Sequence, residues 1–151
     1  MTRIDFYHLQ KSTLDETLPL LVEKAYLTGK RIKIKVGNEV RVDFLSNLLW
    51  TYDEESFLPH GTKKDEAPDC QPIYLSSDDE LPNQAKILFA VDGADILTDF
   101  AKKYERILYI FNGQSESELL KARTLWKQFG ENDFERHYWR QNELGKWEVQ
   151  A

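Results

Sequence analysis

Residues 111–129 read Phe-Asn-Gly-Gln-Ser-Glu-Ser-Glu-Leu-Leu-Lys-Ala-Arg-Thr-Leu-Trp-Lys-Gln-Phe, the pattern of a strand end, a turn and an amphipathic helix. Ser115 can cap this helix, and Glu118 follows three residues later, as a capping box requires. Apolar residues at helical spacing predict a buried face; they are Ala122, Leu125 and Phe129. The stretch therefore predicts a strand followed by a helix that packs on the core.

A second stripe on the same helix is basic and aromatic, in a chain that is acidic overall. It contains Leu119, Arg123, Trp126 and Lys127, and no acidic residue lies between Leu119 and Lys127. An arginine can clamp a carboxylate with two hydrogen bonds, and a tryptophan offers a rigid surface to an apolar side chain. The stripe therefore suits a peptide with carboxylates and an aromatic group. The alternative is that Trp126 is core and the charged residues form a solvated face.

The charge balance bears on the class of ligand. The chain has 151 residues, a net charge of -6 and a pI near 5.1. Such a chain repels phosphates at long range, which disfavours broad nucleic-acid binding. Direct binding of single-stranded DNA through aromatic and basic residues stays an alternative, opposed by this charge.

The length and the cysteine content predict one globular domain over residues 1–151. A chain of this size can bury a core, and 41% hydrophobic residues with 30% charged residues is ordinary for a soluble protein. The single cysteine, Cys70, excludes an intrachain disulfide and favours a reducing compartment. Because residues 1–6 lack a signal-peptide pattern and no apolar run reaches membrane-spanning length, we expect a cytoplasmic protein without membrane contact.

Strand and helix patterns alternate along the chain. Two strands, 87–91 and 107–111, are continuous apolar runs, which is typical of strands buried on both faces. The pattern predicts an α/β fold, a three-layer α/β/α arrangement around an open, mostly parallel sheet. The other predicted strands are 3–9, 32–36, 73–75 and, as a short final strand, 134–139. The predicted helices are 13–28, 39–50 and the helix after Ser115, and residues 94–104 are predicted as a helix or helical turn.

Residues 52–72 interrupt this alternation with prolines, a glycine and acidic residues. A loop of this length is usually functional or mobile, so we expect a mobile or partner-binding loop. Large apolar residues stand beside and within it; they are Trp50, Phe57 and Leu58, followed by Pro59. If they are exposed together, they form an anchor for a protein partner. The alternative is that the loop folds back and places Phe57 in the core.

No motif for a phosphate or a metal accompanies the predicted sheet. The first strand is followed by Gln10-Lys11-Ser12, without glycine, and neither GxGxxG nor GxxxxGK[ST] occurs. The histidines and Cys70 lack zinc-ligand spacing. We therefore predict no cofactor and no metal.

Asp92 and Asp95 follow the buried strand 87–91. Two acids at the carboxyl end of a parallel strand can serve acid–base or Mg²⁺ chemistry, which makes a nucleotide- or Mg-dependent enzyme the alternative function. The other explanation is structural, because Asp-Gly is a common turn pair and an aspartate can cap a helix.

Several fragments, in order, resemble the chi subunit family of bacterial DNA polymerase III, over roughly residues 4–147. The longest is Glu55-Ser56-Phe57-Leu58-Pro59-His60. The others are Phe6-Tyr7, Gly29-Lys30-Arg31-Ile32, Leu49-Trp50, Ala122-Arg123 followed by an aromatic residue and Lys127, and the late Trp147.

The resemblance implies an accessory subunit of the clamp-loader assembly in DNA replication, with no activity or cofactor of its own and only indirect contact with DNA. Such a subunit holds the acidic, aromatic C-terminal tail of single-stranded-DNA-binding protein (SSB) and binds the psi subunit through a separate patch. The predicted residues for the SSB tail are Leu119, Arg123, Trp126, Lys127 and Asn112. The predicted residues for psi, or for another clamp-loader component, are Trp50, Phe57, Leu58 and Pro59.

The chain departs from the family pattern at several positions. Leu119 stands where close members carry a basic residue one turn before the arginine, and Trp126 replaces a tyrosine. The acidic insert from Asp65 to Asp69 has no clear counterpart. These departures predict a tail site with less charge and more apolar contact.

Overall fold

The computed structural model describes residues 2–53, 55, 58–65 and 67–150, and this part of the chain forms an open α/β fold. The predicted strands are present with small changes in their bounds. The strands are β1 Arg3–Leu9, β2 Ile32–Val36, β3 Gly61–Thr62, β4 Ile73–Ser76, β5 Ile87–Val91, β6 Arg106–Asn112, β7 Glu135–Gln141 and β8 Trp147–Val149. The helices are α1 Leu14–Tyr26, α2 Glu39–Thr51, α3 Thr98–Ala101 and α4 Glu116–Glu131.

The sheet has eight strands in the order β3-β4-β2-β5-β6-β1-β7-β8. All neighbouring strands run parallel except β7 and β8, which form an antiparallel hairpin. The prediction of an open, mostly parallel sheet is confirmed. β3 and β8 were not predicted, and the segment 94–104, predicted as a helix or helical turn, is helical at Thr98–Ala101.

Helices cover both faces of the sheet, as the three-layer arrangement requires. One core cluster joins α1 and α2 to the sheet through residues such as Leu18, Leu45 and Ile34. The other joins α4 to the opposite face through residues such as Phe129 and Phe6. At α1 a capping box is present, since Thr13 and Glu16 cap each other's backbone N–H, and Pro19 lies within the helix.

Two buried lysines hold an acidic segment against the sheet at β2. The side chain of Lys33 is 1% exposed, and its Nζ donates to the carbonyl of Glu80 at 2.7 Å and lies 3.7 Å from Asp78. Lys35 pairs with Asp79 at 2.8 Å. Burial lowers the pKa of Lys33 to about 8, against the raising effect of Asp78. The strict alternation of β2 therefore marks one face packed by apolar side chains and one face packed by salt bridges.

None of the helices in the described ranges is long and apolar enough to cross a membrane.

Candidate functional site: a groove between helix α4 and the C-terminal hairpin

Helix α4 begins where the sequence predicts, but Glu118 does not complete the predicted capping box. The Ser115 hydroxyl accepts from the backbone N–H of Glu118 at 3.3 Å, so Ser115 is the N-cap. The carboxylate of Glu118 instead accepts from the backbone N–H of Asn112 at 3.4 Å. Ala122, Leu125 and Phe129 are buried, which confirms the predicted core face.

The second face of α4 forms one wall of a groove of about 320 Å³. Tyr138 from β7 and Gln150, just after β8, contribute the rest of the lining. The helix contributes Leu119, Ala122, Arg123 and Trp126. Three of the five residues predicted for the peptide site therefore line the same cavity.

Trp126 belongs both to the core and to the groove. Its ring packs edge-on against Phe6, with the ring centroids 5.3 Å apart, and edge-on against Tyr138 at 5.8 Å. The guanidinium carbon of Arg136 lies 4.3 Å from the centroid of the Trp126 ring. The side chain is half-buried, so neither of the two interpretations made from the sequence describes it alone.

The hydroxyl of Tyr138 is held from within the core. It lies 2.6 Å from Nδ1 of His8, a buried residue of β1, and the two residues belong to adjacent strands. Burial lowers the pKa of His8, and the charges of Arg140 and Arg123 lower it further. Burial raises the pKa of Tyr138, while the same two arginines oppose that shift. Both side chains are therefore neutral near pH 7, in the field of two cations.

The arginines around the groove differ from most others in the chain. Within the described residues, Arg123, Arg136 and Arg140 form no ion pair with a carboxylate. Elsewhere the arginines in ion pairs are Arg3 with Asp5, Arg41 with Asp15 and Asp92, and Arg106 with Asp5. The groove is therefore bordered by positive charge that no acid among the described residues neutralises.

Two residues predicted for the same site lie outside the groove lining. Lys127 is exposed on α4, close in sequence to Trp126 but not among the groove residues. Asn112 lies at the end of β6, where its Oδ1 accepts from the backbone N–H of Gln114 at 2.9 Å. It lines a different cavity, of about 350 Å³, at the carboxyl ends of β1 and β6.

The loop after β1 presents backbone amides that an α/β fold could use for a phosphate. Here the amides of Gln10, Lys11 and Ser12 all donate to Oε1 of Gln141, each at 3.1 Å. Gln141 is buried at the end of β7. A side-chain oxygen of the chain itself therefore occupies the position at which such a loop would accept an anion, which agrees with the missing phosphate-loop motif.

Asp92 and Asp95 are each held by a different cation. Asp92 pairs with Arg41 at 3.0 Å and has a positive φ of 54°, as a turn residue before glycine. Asp95 pairs with Lys121 at 2.8 Å, and this bond lowers the pKa of Asp95. In the described ranges, no three His, Cys, Asp or Glu residues form a group that could hold a metal ion. These contacts fit the structural explanation, a turn with two ion pairs.

The predicted patch for a second protein partner is only partly at the surface. Trp50 is 47% exposed, and its ring centroid lies 4.1 Å from that of His60. Leu58 is 1% exposed and lies in the core cluster, so its prediction as a surface anchor needs correction. The loop returns to the core here because buried His60 bonds to the carbonyls of Leu58 and Ser46, at 2.6 and 2.8 Å. Pro59 is half-buried, and Phe57 lies outside the described residues.

Sequence reasoning missed the part of the groove that comes from the hairpin. Arg136, Tyr138 and Arg140 alternate along β7 and so share one face of the sheet. That alternation was readable in the sequence. The position of β7 beside β1 and α4 was not, because strand order in a sheet depends on contacts between distant segments.

The fold and the site together define an open α/β domain with a basic, aromatic surface groove. The family model described as DNA polymerase III chi subunit, HolC, matches residues 1–137. The chain therefore belongs to the DNA polymerase III chi subunit family, as the resemblance predicted.

Two curated relatives agree with this assignment. A probable DNA polymerase III subunit chi from Rickettsia prowazekii is 30% identical over 115 residues, which covers 73% of this chain and 70% of the relative. A DNA polymerase III subunit chi from Pseudomonas aeruginosa is 24% identical over 113 residues, covering 72% and 78% respectively. Family membership connects the chain with DNA replication.

Proposed function

We propose that the groove between α4 and the C-terminal hairpin binds the acidic, aromatic C-terminal tail of SSB. The observation that carries this proposal is the combination of an apolar lining with arginines that lack acidic partners in the described chain. A peptide with an apolar side chain and several carboxylates complements both features: the side chain fits the apolar lining, and the carboxylates pair with the arginines.

Each part of the groove has a separate task in this proposal. Trp126 and Leu119 receive the apolar side chain, and Tyr138 closes the groove beneath it. Arg123 clamps a carboxylate, since its guanidinium can form two parallel hydrogen bonds. Exposed Lys127 adds attraction at longer range.

The proposed role is a tether between coated single-stranded DNA and the polymerase assembly. A single tail contact of micromolar affinity corresponds to about -8 kcal/mol. Many tails on one coated strand raise the effective concentration and give avidity without new contacts. The chain then contacts DNA only through SSB.

The link to the clamp loader needs a second surface, and we assign it to the region around Trp50. Trp50 is half-exposed at the end of α2, and the groove is built from other elements, α4 and the hairpin. The partner on this side is the psi subunit or another clamp-loader component.

The test of the tail site is a titration with the C-terminal peptide of SSB from the same organism. Binding is monitored by tryptophan fluorescence at two salt concentrations. Arg123→Ala is expected to weaken binding by about 2 kcal/mol, or about thirtyfold, as for a hydrogen-bonded charge pair. Lys102→Ala is the control, because it removes one exposed positive charge elsewhere. An Arg123→Ala affinity equal to that of the unchanged protein would refute the site.

The test of two separate surfaces uses Trp50→Ala. This variant should bind the tail peptide with unchanged affinity and should lose capture of the clamp-loader component. A folded Trp50→Ala protein that loses the tail peptide would contradict the assignment of two surfaces.

A further inference from the structure

The hairpin side of the groove lies outside the residues that the family model matches. Tyr138, Arg140 and Gln150 all lie after residues 1–137, the part that the family model matches. Two of them, Tyr138 and Gln150, line the groove directly. The match to the family model therefore ends before the residues that the hairpin contributes to the groove.

The hairpin is fixed to the domain by the pairing of β7 with β1 and by packing on one face of the sheet. On one face, the ring of Trp147 packs edge-on against Tyr7, with the centroids 5.0 Å apart. On the groove side, the backbone N–H of Gln150 donates to the carbonyl of Tyr138 at 2.7 Å, so pairing with β7 continues past β8. The groove wall that the hairpin forms is therefore held in place by packing and by the strand ladder.

Arg140 shares a sheet face with Tyr138 and Arg136, because side chains two residues apart on a strand point to the same side. Its Cα is opposite that of His8 in the pairing of β1 with β7. Arg140 is exposed, and its charge acts on the rings of His8 and Tyr138 from β7 as that of Arg123 does from α4. The two cations thus act electrostatically on Tyr138 from two different elements.

The guanidinium of Arg140 is positioned without being neutralised. With the Gln10 amide oriented so that its nitrogen donates to the carbonyl of Gln141 at 3.0 Å, the amide oxygen accepts from Nη2 and Nε of Arg140 at 2.7 and 2.8 Å. An amide fixes the side chain but carries no charge. Because the described residues provide no carboxylate partner, the full positive charge and Nη1 remain for a ligand.

We propose that Arg140 is a second carboxylate-binding residue of the groove. Arg123 and Arg140 together then make the groove a two-sided clamp for an acidic peptide. Arg123 holds a carboxylate on the helix side and Arg140 holds another on the hairpin side, with the apolar side chain of the peptide between them. This inference rests on the proposed function, since it specifies how the same groove recognises its ligand.

The test compares Arg140→Gln with the unchanged protein in the titration with the SSB tail peptide. Glutamine keeps a donor for Gln10 and removes the charge. We expect binding about fivefold weaker, as for a partly exposed charge pair worth about 1 kcal/mol, and a shallower dependence on salt. Lys146→Gln, in the turn of the hairpin, removes an equal charge and should change neither quantity.

A set of peptide variants separates a direct contact from a general electrostatic effect. Each acidic residue of the peptide is changed in turn to its amide and titrated against Arg123→Ala and Arg140→Gln. The inference requires that the two variants couple to different acidic positions. The same coupling pattern for both variants would overturn it.

The outcomes also separate this inference from the proposed function. If the unchanged protein does not bind the peptide, the proposed function fails and the inference fails with it. If the peptide binds and Arg140→Gln leaves both affinity and salt dependence unchanged, the two-sided clamp is refuted and the helix-side site stands. The melting temperature of Arg140→Gln checks that the hairpin remains folded.

Discussion

Arg136 lies against the face of Trp126, with its guanidinium carbon 4.3 Å from the ring centroid and its Nη1 donating to the Trp126 carbonyl at 2.7 Å. One side chain of β7 therefore holds both the ring and the backbone of the helix residue at the centre of the groove. A ring held in this way is ordered before any ligand arrives, which reduces the entropic cost of binding.

Gly130 gives a test of this contact from the helix side. A Cβ at Gly130 would lie 2.6 Å from the guanidinium carbon of Arg136, so Gly130→Ala displaces that group. Alanine for glycine in a helix stabilises it by about 1 kcal/mol, and loss of the stacking costs about 0.5–1 kcal/mol. We therefore expect almost no net change in the free energy of unfolding, measured with urea.

The same substitution in an Arg136→Ala background should give the full gain of about 1 kcal/mol, because no guanidinium remains to be displaced. The difference between the two backgrounds is a double-mutant cycle for positions 130 and 136, and it measures the stability lost when the Arg136 guanidinium is displaced. Equal effects in both backgrounds would show that displacing the guanidinium costs no stability.

Gln141 should be essential for the loop after β1. Gln141→Ala leaves the amides of Gln10, Lys11 and Ser12 without their common acceptor, and we expect a loss of about 1–3 kcal/mol in stability. Gln141→Glu keeps an acceptor oxygen for the three amides but loses the Nε2 donor to Ser12 Oγ and the Gly145 carbonyl, so it should recover only part of the stability. If both variants unfold at the same urea concentration as the unchanged protein, the three hydrogen bonds do not contribute to stability.

Lys33 predicts a rise in stability with pH. The pKa of Lys33 is about 8 in the folded chain, below its ordinary value of 10.5. Between these values the unfolded chain binds a proton that the folded chain lacks, so stability increases with pH, by at most about 1.4 kcal/mol per pH unit. The measurement is the free energy of unfolding of the unchanged protein and of Lys33→Met from pH 8 to 10, and the difference between the two should rise with pH. A flat difference would contradict the burial of this charge.

Leu58 and Trp50 should respond differently to truncation. Leu58→Ala removes a core side chain and should cost about 2–5 kcal/mol. Trp50→Ala removes a half-exposed ring and should cost less, mainly through its contact with His60. Chemical denaturation of both variants decides the point, and a cost at Leu58 no larger than at Trp50 would contradict the fold of the loop.

The elements that could be predicted from sequence are those with a strong local signal. α4 was predictable because Ser115 caps it and its apolar residues recur at helical spacing, and β5 was predictable as a continuous apolar run. β8 was not predictable, since its three residues are exposed or half-buried and show no buried face. The burial of Leu58 was hidden for a related reason, because it depends on the hydrogen bonds of His60 with α2 and the loop backbone.

The groove shows the same division. Leu119, Arg123 and Trp126 could be found from one helix, because a helix fixes which residues share a face. Tyr138 and Gln150 could not, since they reach the groove only through the pairing of β7 with β1 and β8. Asn112 lines the other cavity, because the turn before α4 places it beside the loop after β1.

The assignment of the groove as the tail site is tested most directly by chemical-shift mapping of the isotope-labelled protein during titration with the SSB tail peptide. The indole N–H of Trp126 and the amides of Leu119, Arg123 and Tyr138 should shift together and saturate. Signals around Trp50 should stay unchanged. Shifts concentrated at Trp50 and His60, or at the cavity beside Asn112, or no shifts at all, would contradict the assignment of the groove as the tail site.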